Sequence, residues 1–384
     1  MPWRERCVVD ERLALVADWL RGEVSKAELC ERYGISRKTG YEWFGRYQAE
    51  GPAGLVDRSH APHRHGRATP DELVEKLVQL REARPSWGPR KLIAYLAAQH
   101  PELDWPSHSA AHDILKRLGL VTGRRARRHP PPRPGDLTTP AGPNDVWAVD
   151  HKGWIVLGDR QRCVPLTLAD GYSRYVLAIS AGSSTQAATA RPVMQRAFEQ
   201  YGLPRVIRSD NGAPFASASL TGLSALSVWW IKLGIHPERI RPGKPQENGR
   251  LERFHLTLLE AMRPAAANAR QQARRFEAFR RDYNEQRPHQ ALDQVPPARF
   301  YTPSPRPMPS RLPEPDYPAG MRVRKVRSNG EIKLDGALVH LSSALAGEAV
   351  AIEPIQDGCR LWFYHEPIAI LDHRGRKLSP INPG

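Results

Sequence analysis

Four carboxylates stand where metal-dependent chemistry on a phosphodiester would need them. Asp150 closes the apolar run of WAVDHKG, Asp210 closes RVIRS in RVIRSDNG, and GKPQENGRLERFH offers Glu247 and Glu252. Residues just outside strand ends converge in a layered α/β sheet when the strands are neighbours. Two such aspartates plus a third acid from a helix suit a hard, oxygen-seeking cation. Mg²⁺ (or Mn²⁺) takes few carboxylates and fills its shell with waters and substrate phosphate oxygens. Two such ions activate a nucleophile on one side of the scissile bond and stabilise the leaving oxygen on the other.

Helical geometry ranks the two glutamates. Gly243, Pro245 and the pair Asn248-Gly249 mark Lys244 to Gly249 as a turn or first helical turn, and Leu251, Phe254 and Leu258 follow as one apolar face. Glu252 lies beside that face, where a packed helix holds it rigidly. Glu247 lies in the lead-in turn, where an acid complements the helix dipole. Glu252 is therefore the expected metal ligand, against the plain alternative of a surface acid. His255 shares the face of Glu252 and could meet DNA phosphate, lie behind the metal, or serve packing alone. Lys244 and Arg250 hold a DNA backbone or form a solvated face. Asp170, before Gly171, reads as turn chemistry, and Asp145 and Asp159 as solvated loop acids.

The elements that must position these residues fall in the middle of the chain. DVWAVDHKGWIVL, CVPLTLAD and RYVLAIS read as three strands in a meander, STQAATARPVMQRAFEQYG as an amphipathic helix, and PRVIRSDNG as a fourth strand. A further helix and the short strand GIHPERIRP lead into the long helix of Glu252. The pattern is a mixed sheet in an α/β layer fold.

The N-terminal third is helical. Ser25 with Glu28 forms a capping box, Gly34 a turn, and Ser36 a second cap in SKAELCERYGISRKTGYEWFGRYQ, a helix-turn-helix pattern. Its second helix would present Arg37, Lys38 and Tyr41 to a DNA groove; a plain helical bundle for protein contacts is the alternative. Thr69, Pro70 and Glu72 suggest another capping box with proline at the first helical position. GPRKLIAYLAAQ and SHSAAHDILKRLGL add two amphipathic segments, the latter capped by Ser107. The run Arg124, Arg125, Arg127 and Arg128 follows directly. The tail reads as β, with Asn329-Gly330 as a hairpin turn between strand-like runs. Pro-rich stretches at 123–143 and 302–318 read as extended, semi-rigid spacers.

Composition limits the partners. The 384 residues carry a formal net charge of +16 and are 40% hydrophobic, enough for real cores and suited to a polyanion. An acidic membrane surface is the competing partner, but no apolar run reaches the length of a membrane span. The N-terminus carries acids in its apolar region and reads poorly as a signal peptide. Cys7, Cys30, Cys163 and Cys359 are far apart. Neither a disulfide framework nor a cysteine-rich zinc site follows, and a cytoplasmic protein with free thiols is the plain reading.

WAVDHKG, RSDNG and GKPQENGRLERFH together resemble the three acidic motifs of DDE transposases and retroviral-type integrases. The likeness is strongest to bacterial insertion-sequence transposases with an integrase catalytic core. YNEQRPHQAL resembles the segment that closes that core, YGISRKTGYEWFGRYQ their first helix-turn-helix, and VRSNGEIKLDGALVHLSSALAGEAVAIEP the small C-terminal barrel some of them carry. Nearly the whole chain is covered, and the three acidic motifs in order are specific where each alone is weak.

The resemblance implies a multidomain chain. It would have all-α helix-turn-helix units at 1–66 and 67–122, a basic Pro-rich linker at 123–143, an RNase H-like core with a mixed five-stranded sheet at 144–300, a Pro-rich linker at 301–318 and a small β-barrel at 319–384. It implies the triad Asp150, Asp210 and Glu252 as catalytic residues and ligands of two Mg²⁺ (or Mn²⁺) ions. The expected activity is cleavage that frees 3′-hydroxyl ends of an insertion sequence and joins them to target DNA. The partners expected are double-stranded DNA, as element ends and target, and a second copy of the chain, as a homodimer or higher oligomer. The spacing from Asp210 to Glu252 exceeds that of retroviral integrases, and SASLTGLSALSVWWIKLG is placed as the insert. Retroviral integrases also have an N-terminal zinc module. Here His60, His63 and His65 lack a cysteine pair, so a solvated loop and no zinc are expected. A catalytically idle DNA-binding regulator derived from such an enzyme, and a ribonuclease H-type nuclease, are the alternatives.

Overall fold

The structure, a computed structural model, describes residues 7–58, 69–121, 137–219, 221–334, 336–372 and 378–379. The run Arg124, Arg125, Arg127 and Arg128, and His60, His63 and His65, lie outside the described residues. The chain divides after Thr69 into two compact units.

The first unit holds α1 (Val8–Arg21), α2 (Lys26–Arg32) and α3 (Arg37–Glu50). The Ser25 hydroxyl accepts the Glu28 N–H and that of Ser36 accepts the Thr39 N–H, so both expected caps form. Only half of the first box is made, because the Glu28 carboxylate pairs with Arg32 at 2.8 Å instead of reaching back. Gly34 turns the chain at φ 63°, a conformation glycine adopts without strain. Leu15, Trp19, Leu29 and Cys30 form the core. The helices cross closely at Gly40, where a Cβ would lie 2.6 Å from the Cys30 sulfur.

The second unit begins with α4 (Asp71–Ala83), α5 (Pro89–Gln99) and α6 (His108–Arg117), packed around Leu77, Trp87, Leu92 and Leu115. Ser107 caps α6 as expected. The box at Thr69 does not form. Pro70 itself is the cap residue, with extended ψ 142°, and its carbonyl accepts from Leu73 and Val74. The helix therefore starts one residue later than the sequence suggests.

The α/β core follows. Its strands are β1 (Val146–His151), β2 (Ile155–Val156), β3 (Arg162–Asp170), β4 (Val176–Gly182), β5 (Val206–Ser209) and β6 (His236–Arg239). Its helices are α7 (Ala187–Tyr201), α8 (Ala225–Lys232), α9 (Gly249–Ala261) and α10 (Ala269–Glu285). β1 runs antiparallel to β3 and parallel to β5, β3 is antiparallel to β4, and β5 is parallel to β6. The sheet has six strands where five were expected. The extra one, β2, pairs with β3 just past β1 and is out of step with it by one residue. DVWAVDHKGWIVL is thus one strand broken by a bulge, and Asp150 sits just before the break. Trp147, Val149 and Ile207 pack with Met194, Phe198 and Trp230 from α7 and α8. Leu157 and Cys163 pack with Leu251, Phe254, Leu258 and Phe276 from α9 and α10 on the other face.

The second Pro-rich stretch is not a spacer. Ser304 N–H donates to Tyr201, Leu203 N–H to Arg306, and the Arg306 guanidinium to the carbonyls of Pro204, Leu233 and Gly234. Further on, the Tyr317 hydroxyl donates to Ala349 and Tyr364 to Pro313. Proline supplies no N–H to a sheet, but its neighbours' groups lash this strap to the core and then to the tail.

The tail holds β7 (Arg322–Lys325), β8 (Glu331–Leu334), β9 (Ala337–His340), β10 (Ala349–Ile355), β11 (Gly358–Phe363), β12 (Glu366–Asp372) and β13 (Leu378–Ser379). The expected barrel is not what these strands form. They make an open sheet, β13-β12-β11-β10-β7, and a separate β8-β9 hairpin, both on one core. Asn329-Gly330 is a corner and not the hairpin turn: Gly330, at φ 83°, lies so close to the Ser342 backbone that the chain leaves the sheet there. The hairpin closes through Gly336, at φ 87°.

Candidate functional site

The parallel register of β1 and β5 sets the two aspartates side by side. Trp147 pairs with Ile207 and Ala148 with Arg208; continuing that register brings Asp150 abreast of Asp210, on strands roughly 4.8 Å apart. Both lie at carboxyl ends of neighbouring strands, the position the sequence assigned them. Glu252 stands exposed in the first turn of α9, whose Leu251, Phe254 and Leu258 are buried against the sheet. A 3₁₀ turn over Pro245–Asn248 precedes the helix.

The charges of the three acids meet. The Asp150 carboxyl is pushed up to about 6 by burial, then by the charges of Asp210 and Glu252. Mutual repulsion of this kind marks a site short of positive charge, and an all-carboxylate donor set is the kind Mg²⁺ takes. The residues fit such an ion in chemistry and charge. They are not drawn together as a finished cage: among the described residues no three acid, histidine or cysteine side chains could hold a metal ion. The Asp210 carboxylate is folded onto its own loop, accepting the Gly212 N–H at 3.2 Å.

His255 is 1% exposed and so unavailable to a DNA phosphate. Thr167 donates to the Asp150 carbonyl at 3.1 Å, which leaves its oxygen to accept from His255 Nε2 at 2.7 Å. Nδ1 is then bare and faces the Asp150 carboxylate at 3.7 Å. Burial, and then Lys152, push the imidazole down to about 4, so it is neutral at physiological pH. His255 pins α9 to β1 and β3 directly behind Asp150. Position 255 drew notice in the sequence; its partner Thr167 did not, because only the β1–β3 register brings them together.

Glu247 does not serve the helix dipole. Its carboxylate accepts the Arg241 N–H at 2.8 Å and pairs with that guanidinium at 2.6 Å. Burial raises the acid, but the Arg241 bonds and charge outweigh it and hold its pKa low. Asp170 is buried and bonded to Asn144 and to the Ser173 amide and hydroxyl, turn chemistry as read. Asp145 is not a solvated acid; it accepts the amides of Ala141 and Gly142. Asp159 closes an exposed turn on Gln161. Arg250 donates to the Gly171 carbonyl, while Lys244 is exposed. In the first unit Arg37, Lys38 and Tyr41 are exposed on α3, though the Tyr41 ring also meets Trp19 edge-on at 5.0 Å.

Sequence reasoning missed the Arg208–Glu238 pair at 2.6 Å, which holds Thr138 against β5 and β6. It also missed what the end of α10 does. Asn284 is buried, and its side chain accepts the Val176 N–H at 2.8 Å and donates to the Val176 carbonyl at 2.9 Å. Tyr283 stands edge-on to Phe254 of α9 at 5.0 Å. The motif YNEQRPHQAL is where a signal existed.

Comparison with known proteins finds an integrase core domain at residues 140–245 and again at 233–297, a helix-turn-helix domain at 11–63 and a homeodomain-like domain at 39–115. The insertion element IS407 uncharacterized 31.7 kDa protein of Burkholderia multivorans is 29% identical over 62% of this chain and 84% of its own length. The insertion element IS476 uncharacterized 39.2 kDa protein of Xanthomonas euvesicatoria is 29% identical over 73% of this chain and 79% of its own. Among solved structures, the HTLV-2 integrase catalytic core domain in complex with magnesium is matched at TM-score 0.32 and 14% identity, over 42% of this chain and 98% of that one. No helix among the described residues is long and apolar enough to cross a membrane.

Proposed function

We propose that this chain, which belongs to the insertion-element transposases built on an integrase core domain, frees the 3′-hydroxyl ends of its element and joins them to target DNA. One observation carries the reading: the charges of Asp210 and Glu252 both act on the Asp150 carboxyl at the ends of two parallel strands. Asp150, Asp210 and Glu252 would hold two Mg²⁺ (or Mn²⁺) ions. When bound, these supply the positive charge that lowers the barrier to in-line attack on a phosphodiester. The chain's own residues orient the site. Neutral His255 and Thr167 fix the strand of Asp150, and the Glu247–Arg241 clamp fixes the turn before Glu252.

The DNA-reading role falls to Arg37, Lys38 and Tyr41 of α3 in a major groove. Arg124, Arg125, Arg127 and Arg128 would follow phosphates, and Lys244 and Arg250 would meet the backbone beside the site. The domain limits that follow are 1–66 and 67–122 for reading, 144–300 for catalysis and 319–384 for the tail, with linkers between. Pairing two DNA ends calls for a homodimer or higher oligomer, working in the cytoplasm. Asp150→Asn and Asp210→Asn should each end Mg²⁺-dependent strand cleavage and joining while end binding stays intact. Cleavage by either variant at the wild-type rate removes that residue from the site. The ungathered carboxylates favour, as second reading, an idle core that only binds DNA; wild-type protein that binds ends but never nicks them in Mg²⁺ decides for it.

A further inference from the structure

We infer that a DNA backbone phosphate seats where α5 meets the end of α10 and the flank of α9, held by Lys91, Arg253 and Arg287. This rests on the transposase reading above and adds a contact to it. The place is built from three segments. Lys91 of α5 reaches the residues after α10 and donates to the Pro288 carbonyl. The Arg287 guanidinium lies 5.9 Å from the Trp87 ring and 6.0 Å from that of Tyr283, which walls it between aromatic faces. Tyr283 in turn meets the His289 ring at 4.6 Å, and His289 Nε2 is buried without a hydrogen-bond partner.

The charge here is one-sided. Burial lowers Lys91 to about 8, and the charges of Arg287 and Arg253 lower it further in the same direction. Burial also lowers His289 to about 3, with Lys91, Arg287 and Arg174 acting on it. Arg174, whose charge reaches the same place, is held at φ 63°, a backbone conformation that costs a non-glycine residue free energy and gathers at functional sites. The acids acting on Arg287 are Asp282 and Glu260, and Asp282 is already paired with Arg84. Gathering half-buried cations costs stability unless an opposite charge joins them. Folding of this chain gains nothing evident from it, whereas a phosphate would relieve it with charge-assisted hydrogen bonds. Arg253 adjoins Glu252, and Lys91 belongs to the helical unit ahead of the core. A phosphate held here lies against the helix of the proposed metal ligand.

The test uses the full chain, its Lys91→Gln, Arg287→Gln and double variants, and a short duplex of element-end sequence. The expected result has two parts. The free variants melt at or above the wild-type temperature, since repulsion is relieved. DNA binding weakens about tenfold, and the slope of log K against log salt falls by about one for the phosphate lost. Arg287→Lys keeps the slope. Free variants that melt lower and bind DNA with an unchanged slope show a structural contact and overturn the site. Inorganic phosphate raising the melting temperature of the wild type but not of the double variant, with DNA slopes equal, shows a small-anion site and overturns the DNA contact. The Asp150→Asn cleavage assay reads the transposase assignment separately, so a failure of one is not taken for a failure of the other.

Discussion

Glu247→Gln and Glu252→Gln should separate a structural acid from a catalytic one. Glu247 accepts the Arg241 amide at 2.8 Å and pairs with its guanidinium at 2.6 Å. Glutamine keeps one acceptor and turns an NH₂ toward a donor. A hydrogen bond to a charged group is worth about 1.5–3 kcal/mol. The Arg241 side chain is 48% exposed, so solvent screening reduces the loss to about 1–2 kcal/mol. Such a loss lowers the closed population of the turn by about tenfold at most, and activity should remain between roughly a tenth and all of the wild type. Glu252 is exposed on α9, so Glu252→Gln should change stability by no more than about 0.5 kcal/mol. Losing one ligand of an ion that contributes several kcal/mol should slow cleavage by roughly a thousandfold. The assay is 3′-end cleavage in Mg²⁺ with urea unfolding of each variant alongside. An inactive Glu247→Gln beside an active Glu252→Gln would refute the assignment, and with it the placement of the helix start at Gly249.

Further outcomes follow from single contacts. Asn284→Ala strands the N–H and carbonyl of Val176 in a buried place, so urea unfolding should show a loss of about 2–5 kcal/mol. Gly40→Ala puts a methyl group 2.6 Å from the Cys30 sulfur and 3.1 Å from Trp19; it should loosen the α2–α3 crossing and abolish sequence preference in DNA binding, measured by competition between end DNA and random duplex. The His236–Glu366 contact at 2.8 Å joins the core to the tail. Burial raises Glu366, but His236 and His365 bring it down to about 2, so its contribution is present above its ordinary 4.5 and lost as pH falls toward 2. The Glu366 hydrogen bond raises His236 against burial, with Glu238 adding charge, so that contribution is present below 6.5 and lost as pH rises through the higher folded value. Hydrogen exchange in β12 should therefore be slowest between about pH 4.5 and 6.5, with the dependence flattened in Glu366→Gln.

Local signals were legible where one residue decides the structure. Ser25, Ser36 and Ser107 cap their helices because a short side-chain oxygen needs only its own next turn. The alternating runs gave the strands, and the short turns between them their order. What failed depended on distant partners. Thr69 lost its cap because Pro70 took an extended ψ. Asn329-Gly330 met the demands of a hairpin turn, yet β7 found β10 and left β8 to pair with β9. The strap at 302–318 looked like a spacer because its bonds come from backbone groups of the core, which composition does not reveal. At the site, the aspartates could be placed from their strand ends. The Arg241 clamp on Glu247 could not, since a turn of a few residues looks the same whether its acid faces water or a guanidinium.

The segment from Tyr283 to His289 explains how one short motif can tie catalysis to DNA reading. Asn284 satisfies the backbone of edge strand β4, which fixes α10 on the sheet. Tyr283 then presses on Phe254, and Phe254 belongs to the apolar face that sets the rotation of α9. That rotation buries His255 behind Asp150 and turns Glu252 outward beside it. The same chain continues into Arg287 and His289, which face Lys91 from the preceding helical unit. A shift of α5 on binding DNA would therefore act on α10, and through Tyr283 on the helix that carries Glu252. The physical basis is a set of contiguous packed contacts, each of which is altered by a single substitution. Tyr283→Leu keeps bulk but removes the edge-on contact at 5.0 Å, a loss of about 0.5–1.5 kcal/mol. It should lower cleavage more than it lowers DNA binding. Equal losses in both would mean that the motif only supports the fold.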